Sequence, residues 1–278
     1  MISLLLAICS SAMVAIMMRI AQPRVKYPTG LLAANYIACS FLALILSRPE
    51  LPGLSISRIG FPAGLGLING VLYLGSFALM QWNTRHNGVV LSSVFMKLGI
   101  LVPTVLSVVW FKEMPTGVQI MGFVLALVAI VIINYQKGTR LSSGSWGLLL
   151  MLLVGGSGDG MSKVYEEYGN PGFQNLFLFF TFLAALMLCL GLVAYRKERL
   201  GIKELLFGAA LGIPNFFSSL FMLHALATVP AVIAFPTFSV AVILVVAMAG
   251  IVCFRERLTR KQILGGALIC IALVLLNL

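Results

Sequence analysis

Acidic side chains are scarce in this chain of 278 residues, where eight aspartates and glutamates stand against nineteen lysines and arginines. Charged residues make up only 10% of the whole, against about a quarter in a soluble domain. So few charges cannot solvate a water-soluble enzyme of this size, and that class is excluded. Histidine occurs twice, and no histidine and cysteine stand at metal-ligand spacing, so no metal site is expected. The five cysteines (Cys9, Cys39, Cys189, Cys253 and Cys270) all fall in apolar segments and form no C-x-x-C pair. They read as small buried hydrophobes and not as a disulfide framework. A nucleophile elbow, a phosphate loop and a carboxylate pair are also missing, so the chain is expected not to be an enzyme and to need no cofactor. The formal charge of +11 does not point to nucleic acid, because the basic residues sit in short gaps between apolar runs instead of forming one basic face.

What the chain has in abundance is apolar sequence, 60% of all residues. A bilayer core of about 30 Å needs roughly 20 helical residues. Runs of that length occur at about 2–18, 30–47, 59–82, 88–111, 117–134, 146–165, 174–195, 204–226, 230–254 and 261–278. The spacing predicts an all-α polytopic membrane protein of ten transmembrane helices joined by short loops. The first run lacks a basic segment before it and a small-residue cleavage site after it, so it reads as a span and not as a cleavable signal. Loops after odd-numbered spans hold fourteen basic residues: Arg19, Arg24, Lys26, Arg85, Lys137, Arg140, Arg196, Lys197, Arg199, Lys203, Arg255, Arg257, Arg260 and Lys261. Loops after even-numbered spans hold four: Arg48, Arg58, Lys112 and Lys163. The positive-inside rule then places both termini outside the cytoplasm, in a multi-pass protein of the plasma (inner) membrane.

Self-comparison gives a sharper signal. Residues 111–134 read FKEMPTGVQIMGFVLALVAIVIIN and residues 254–277 read FRERLTRKQILGGALICIALVLLN. They align without a gap at a shift of 143 positions (254 − 111), pairing Phe111 with Phe254, Glu113 with Glu256, Thr116 with Thr259, Gln119 with Gln262, Gly122 with Gly265 and Asn134 with Asn277. LGLIN at 65–69 matches LGIPN at 211–215, pairing Asn69 with Asn215, and Pro28 and Pro171 open the second and seventh spans alike. Two copies of five helices follow, at 1–139 and 144–278. Five is odd, so the copies cross the membrane in opposite directions, an inverted repeat of the kind secondary transporters use. Glu113 and Glu256 stand where a loop enters a helix and read as caps and dipole partners.

The motif F-[KR]-E-x-x-T-x-x-Q-[IL]-x-G after the fourth and ninth spans, in a five-plus-five repeat of this length, resembles the EamA-type family of the drug/metabolite transporter superfamily. The resemblance covers essentially the whole chain. It implies a ten-helix fold that alternates access to a central cavity and moves small metabolites or drugs, often outward.

Ionisable groups at membrane depth are costly, about 2.5–3.5 kcal/mol on insertion scales, and mark candidate sites. Lys97 lies in SSVFMKLGILVPTVL, about 14 Å along the fourth span from Gly88 at 1.5 Å per residue. Its repeat-mate is Val240, so symmetry does not require a charge there. Asp159, in GGSGDGMSKVYEE of the sixth span, is expected at comparable depth and is its natural partner. Lys163, four residues on, shares a helical face with Asp159 or reaches the interface. Asn35, Asn69, Tyr73 and Asn215 supply neutral donors and acceptors for a substrate or for helix bridging. Pro103, Pro214 and Pro236 are hinge candidates. Trp82, Trp110 and Trp146 read as interfacial belt residues, the Phe177–Phe182 run as lipid-facing or packing, and His224 as a bonded or interfacial histidine.

These features predict a secondary active transporter for a small polar, anionic or zwitterionic metabolite, an exporter by the resemblance. Its central site lies at the repeat interface, and its partners are the lipid bilayer, the substrate and a coupling proton or exchanged solute. The alternatives are a multidrug exporter of lipophilic cations, which the positive charge of Lys97 disfavours, and a passive channel or lipid scramblase.

Overall fold

The computed structural model describes residues 1–47, 56–134, 146–198, 200–254 and 259–278. Glu256 and several loop cations of the charge count (Arg48, Lys137, Arg140, Arg199, Arg255 and Arg257) lie outside the described residues. Among the described residues there are ten long helices: α1 Ile2–Ala21, α2 Pro28–Ser47, α3 Ile59–Gly88, α4 Leu91–Val109, α5 Gly117–Asn134, α6 Trp146–Tyr168, α7 Gln174–Tyr195, α8 Ile202–Leu226, α9 Ala231–Phe254 and α10 Arg260–Leu276. Seven of them are long and apolar enough to cross a bilayer. The other three are α5 and α10, which are shorter, and α6, which carries Asp159, Lys163, Glu166 and Glu167.

One boundary differs from the expectation. No loop separates the third and fourth spans, because helix runs through 83–87 and only Gly88 breaks it, at φ +82° and ψ 160°. That left-handed φ suits glycine, which has no Cβ to clash. Arg85 is therefore an exposed helical residue and not a loop anchor. The polar run resembles a loop in composition, but Asn83 and Asn87 lie four apart on one helical face. Both are buried, the Asn87 amide donates to Asn83 Oδ1 at 2.9 Å, and Asn83 donates to the Gly147 carbonyl of α6 at 2.8 Å.

The chain divides into two compact units, Met1–Leu74 with Val164–Ala227 and Gly75–Lys163 with Thr228–Leu278. Each draws helices from both sequence repeats. In the first unit, glycine sets how closely helices approach. A Cβ at Gly66 of α3 would strike the carbonyl of Phe177 and the Cβ of Phe180 and crowd the amide of Thr181 on α7; one at Gly212 of α8 would strike the carbonyl of Asn35 and the Cβ of Ala38 on α2. These are the second residues of LGLIN and LGIPN, making the same contact on the two helices opened by Pro171 and Pro28. The Phe177–Phe182 run packs helices: Phe177 and Phe182 are fully buried, and Phe177 stacks on Tyr165 with centroids 4.4 Å apart.

The second unit repeats the pattern. Gly122 of α5 meets Ala272, Leu275 and Leu276 of α10, and Gly265 of α10 meets Ala129 and Ile133 of α5. Moving each by 143 positions turns one set into part of the other, so α5 and α10 are in reciprocal contact, consistent with a five-plus-five inverted repeat. Between them lies an apolar core of Ala126, Ala129, Ile130, Val240, Ile269 and Ala272. The shared T-x-x-Q is a capping box in both copies. Thr116 N–H donates to Gln119 Oε1 at 3.0 Å and Thr259 N–H to Gln262 Oε1 at 2.9 Å, and the return bonds to the threonine hydroxyls measure 3.2 and 3.3 Å. Those pairs satisfy amides that a helix start leaves open.

The expectation that the cysteines are buried holds for Cys39 and Cys189 only. Cys9, Cys253 and Cys270 are exposed, since at membrane depth a cysteine is as compatible with an apolar outer face as with a core.

Candidate functional site

The geometry of the second unit starts from Pro103. Proline has no N–H to give the carbonyl four residues back, and its ring crowds that carbonyl. In α4 that carbonyl belongs to Gly99, and the ladder breaks there. Gly99 N–H turns to Met96 O at 3.2 Å and Gly99 O accepts from Val102 N–H at 3.0 Å, both three-residue spacings. Downstream, Thr104 and Ser107 hydroxyls donate to the carbonyls of Ile100 and Pro103, each at 2.8 Å. Helix α4 is thus discontinuous, and Lys97 sits in the last turn of its first half. A cation at a helix C-terminus is favoured by the exposed carbonyls and the helix dipole.

The break is held against α6 by two glycines. A Cβ on Gly156 would strike the Gly99 carbonyl and Val102, and one on Gly160 would crowd Leu106. This backbone-to-backbone approach sets α6 beside the Lys97 end of α4, with Asp159 one turn beyond Gly156. Asp159 and Lys97 act on one another electrostatically, and both are desolvated by surrounding protein. Each nonetheless retains accessible surface. Among the described residues the two do not come within ion-pair contact.

At the far end of α4 and α6 the polar groups form a tie. Lys163 is buried and pairs with Glu113 at 3.1 Å, which gives it a partner other than the two expected for it, Asp159 or the interface. Its ammonium lies 5.3 Å from the Phe111 ring centroid. The second carboxylate oxygen of Glu113 accepts from Val232 N–H, in the first turn of α9, at 3.0 Å. Glu113 is therefore a cap, as its position suggested, but for α9 and not for the helix it precedes. Lys112 holds φ at +57° and Glu113 N–H returns to Ser107 O at 3.1 Å, which turns the carboxylate inward.

The neutral candidates belong to the first unit. The close approach of α2 and α8 at Gly208 and Gly212 brings Asn215 Nδ2 to 3.3 Å from Asn35 Oδ1 and 3.6 Å from Cys39 Sγ. Asn69 of α3 is 1% exposed, and its Oδ1 has no partner among the described residues. Tyr73, one turn on, lies with its ring 6.2 Å from that of Phe182. Four of the six candidates are thus held by one unit, and Lys97 and Asp159 by the other. Among the hinge candidates, Pro103 coincides with a broken ladder, whereas Pro214 and Pro236 lie inside continuous helices. Pro62 is a further proline within a helix. Trp82, near the Gly88 end of α3, stacks on His86 and lies 5.4 Å from Trp146, the first residue of α6.

The chain resembles known proteins along its whole length. An uncharacterised protein of Haemophilus influenzae (strain ATCC 51907 / DSM 11121 / KW20 / Rd) is 25% identical over 275 residues, covering 95% of this chain and 93% of its own. A crystal structure at 14% identity superposes with a TM-score of 0.80 across 99% of this chain and 94% of its own, which shows the same fold. The sequence model of the EamA-like transporter family matches residues 1–135 and 142–278. Ten helices, seven of them long and apolar enough to cross a bilayer, together with that match describe an integral, multi-pass membrane protein of the drug/metabolite transporter superfamily. The chain belongs to the EamA-like transporter family.

Proposed function

We propose that the protein is a secondary active transporter that alternates access to a site containing Lys97 and Asp159, and that it moves a small anionic or zwitterionic metabolite. The observation that carries this reading is a deep, accessible cation and anion that interact without touching, beside a broken helix. Such a pair offers a carboxylate an ammonium and offers a substrate amine a carboxylate. The helix break at Gly99 is where α4 bends, with Pro103 as its cause. Pro214 and Pro236 provide secondary hinges in α8 and α9. In the first unit, Asn35, Asn69, Tyr73 and Asn215 offer neutral hydrogen-bonding groups of their own, and Asn69 Oδ1 has no partner among the described residues. Either a coupled proton or an exchanged solute drives the cycle. The charge bias of the loops supports extracytoplasmic termini in the plasma membrane, and the family resemblance favours export. A lipophilic-cation exporter is disfavoured by the positive charge Lys97 brings to the site.

The test is a thermal-shift screen of purified protein against a panel of amino acids, organic acids and phosphorylated metabolites, since a ligand that binds the native state raises its apparent stability. Hits are then carried into counterflow in proteoliposomes. The expected result is exchange stimulated by the same solute on the opposite side, with both shift and exchange lost in Lys97→Ala and Asp159→Asn. Flux without exchange stimulation indicates a channel, and wild-type flux in both variants removes the site.

A further inference from the structure

We infer that Lys163 is the moving part of a gate, exchanging between Glu113 and Asp159 and so reporting the charge state of the central site to the α4–α5 segment. The inference rests on the site proposed above. In the structure Lys163 holds Glu113 at 3.1 Å, and Glu113 in turn holds the first turn of α9 through Val232 N–H at 3.0 Å. One carboxylate therefore ties together the end of α4, the body of α6 and the start of α9. The segment carrying it is bent by a left-handed lysine, Lys112 at φ +57°, a conformation that persists only where surrounding contacts enforce it.

Asp159 lies four residues before Lys163 on α6. Residues at that spacing share a helical face, about 6 Å apart along the axis. A lysine side chain spans that distance, so besides Glu166 and Glu167 of its own helix the ammonium has in reach one carboxylate in the gate and one in the site. When Asp159 is satisfied by Lys97 or by a substrate amine, Lys163 stays on Glu113 and the segment 110–116 remains fastened to α9. When Asp159 is vacated, Lys163 turns to it, Glu113 loses its counter-ion, and the tie to α9 loosens. Differential pairing of this kind is what lets a ligand at one place shift a two-state element at another. Lys163 is then a positioning residue for the cycle and not a substrate contact.

Hydrogen–deuterium exchange of the full chain in nanodiscs tests this without a substrate, read on peptides covering 110–117 and 229–235. Asp159→Asn removes the competing partner, so exchange at both segments is expected to slow several-fold. Lys163→Gln is expected to speed it at least tenfold, while Lys163→Arg stays near wild type and controls for folding. Unchanged exchange in Asp159→Asn, with Lys163→Gln fast, shows a fixed strut and overturns the exchange of partners. Unchanged exchange in Lys163→Gln overturns the gate itself. Counterflow separates the two proposals: loss of transport in Asp159→Asn without an exchange response removes only the gate, and an exchange response with normal transport removes only the central site.

Discussion

Helices α4 and α9 occupy matching places in the two sequence repeats and have been put to opposite uses. In α9, Val240 is fully buried in the apolar core with Ala126, Ile130 and Ile269, and the helix runs unbroken through Pro236. In α4, the matching position is Lys97, the ladder breaks two residues later, and the side chain is accessible. The proline positions explain part of the contrast. Pro103 acts on a glycine carbonyl, in a segment that glycines of α6 already approach at backbone distance. The repeat thus supplies the frame of the second unit, while at this position the first copy alone carries a charge. Reciprocal contacts such as Gly122 with α10 and Gly265 with α5 belong to the frame.

The contrast is most directly broken by giving α9 the charge of α4. Val240→Lys buries an unpaired ammonium in an apolar core at a cost of about 3 kcal/mol, and the yield of monodisperse protein by size-exclusion chromatography is expected to collapse. Lys97→Ala is expected to leave that yield intact while lowering counterflow about 10- to 100-fold, the range of a lost hydrogen bond to a charged group. Gly122→Leu and Gly265→Leu sharpen the frame side of the comparison. Each overpacks the same α5–α10 seam at about 2 kcal/mol, so their melting temperatures are expected to fall together; unequal shifts would break the reciprocity. Thr116→Ala and Thr259→Ala remove the two capping boxes and are expected to cost about 1 kcal/mol each, read as matched small decreases in melting temperature.

Much of the architecture was legible without coordinates. The positions of the ten helices follow from apolar runs and their punctuation, apart from the boundary between the third and fourth, and the family from one polar motif. That motif is legible because each of its parts acts locally. The threonine and glutamine close a capping box, and the glycine clears a helix seam. The boundary between the third and fourth spans was not legible, because NTRHNG has the composition of a loop. Its two asparagines are instead a helical face that hydrogen-bonds α6. Lys97 and Asp159 stood out by charge and depth. The partners of Lys163 and Glu113 did not, because they depend on which helix start lies beside which loop, and the acceptor-seeking amide of Val232 leaves no trace in residue type.

Composition and spacing alone determined that this chain lives in a bilayer, how many helices it makes and how its halves correspond, since water, hydrocarbon and the 1.5 Å rise of a helix act on every residue locally. Tertiary structure alone decided that helices of different repeats would assemble into the two units, that α4 would break at Gly99 against Gly156, and that a buried lysine would hold a glutamate capping a distant helix. Those outcomes turn on the approach of backbones far apart in the chain, and a sequence records the small residues that permit such contacts without recording which contacts form.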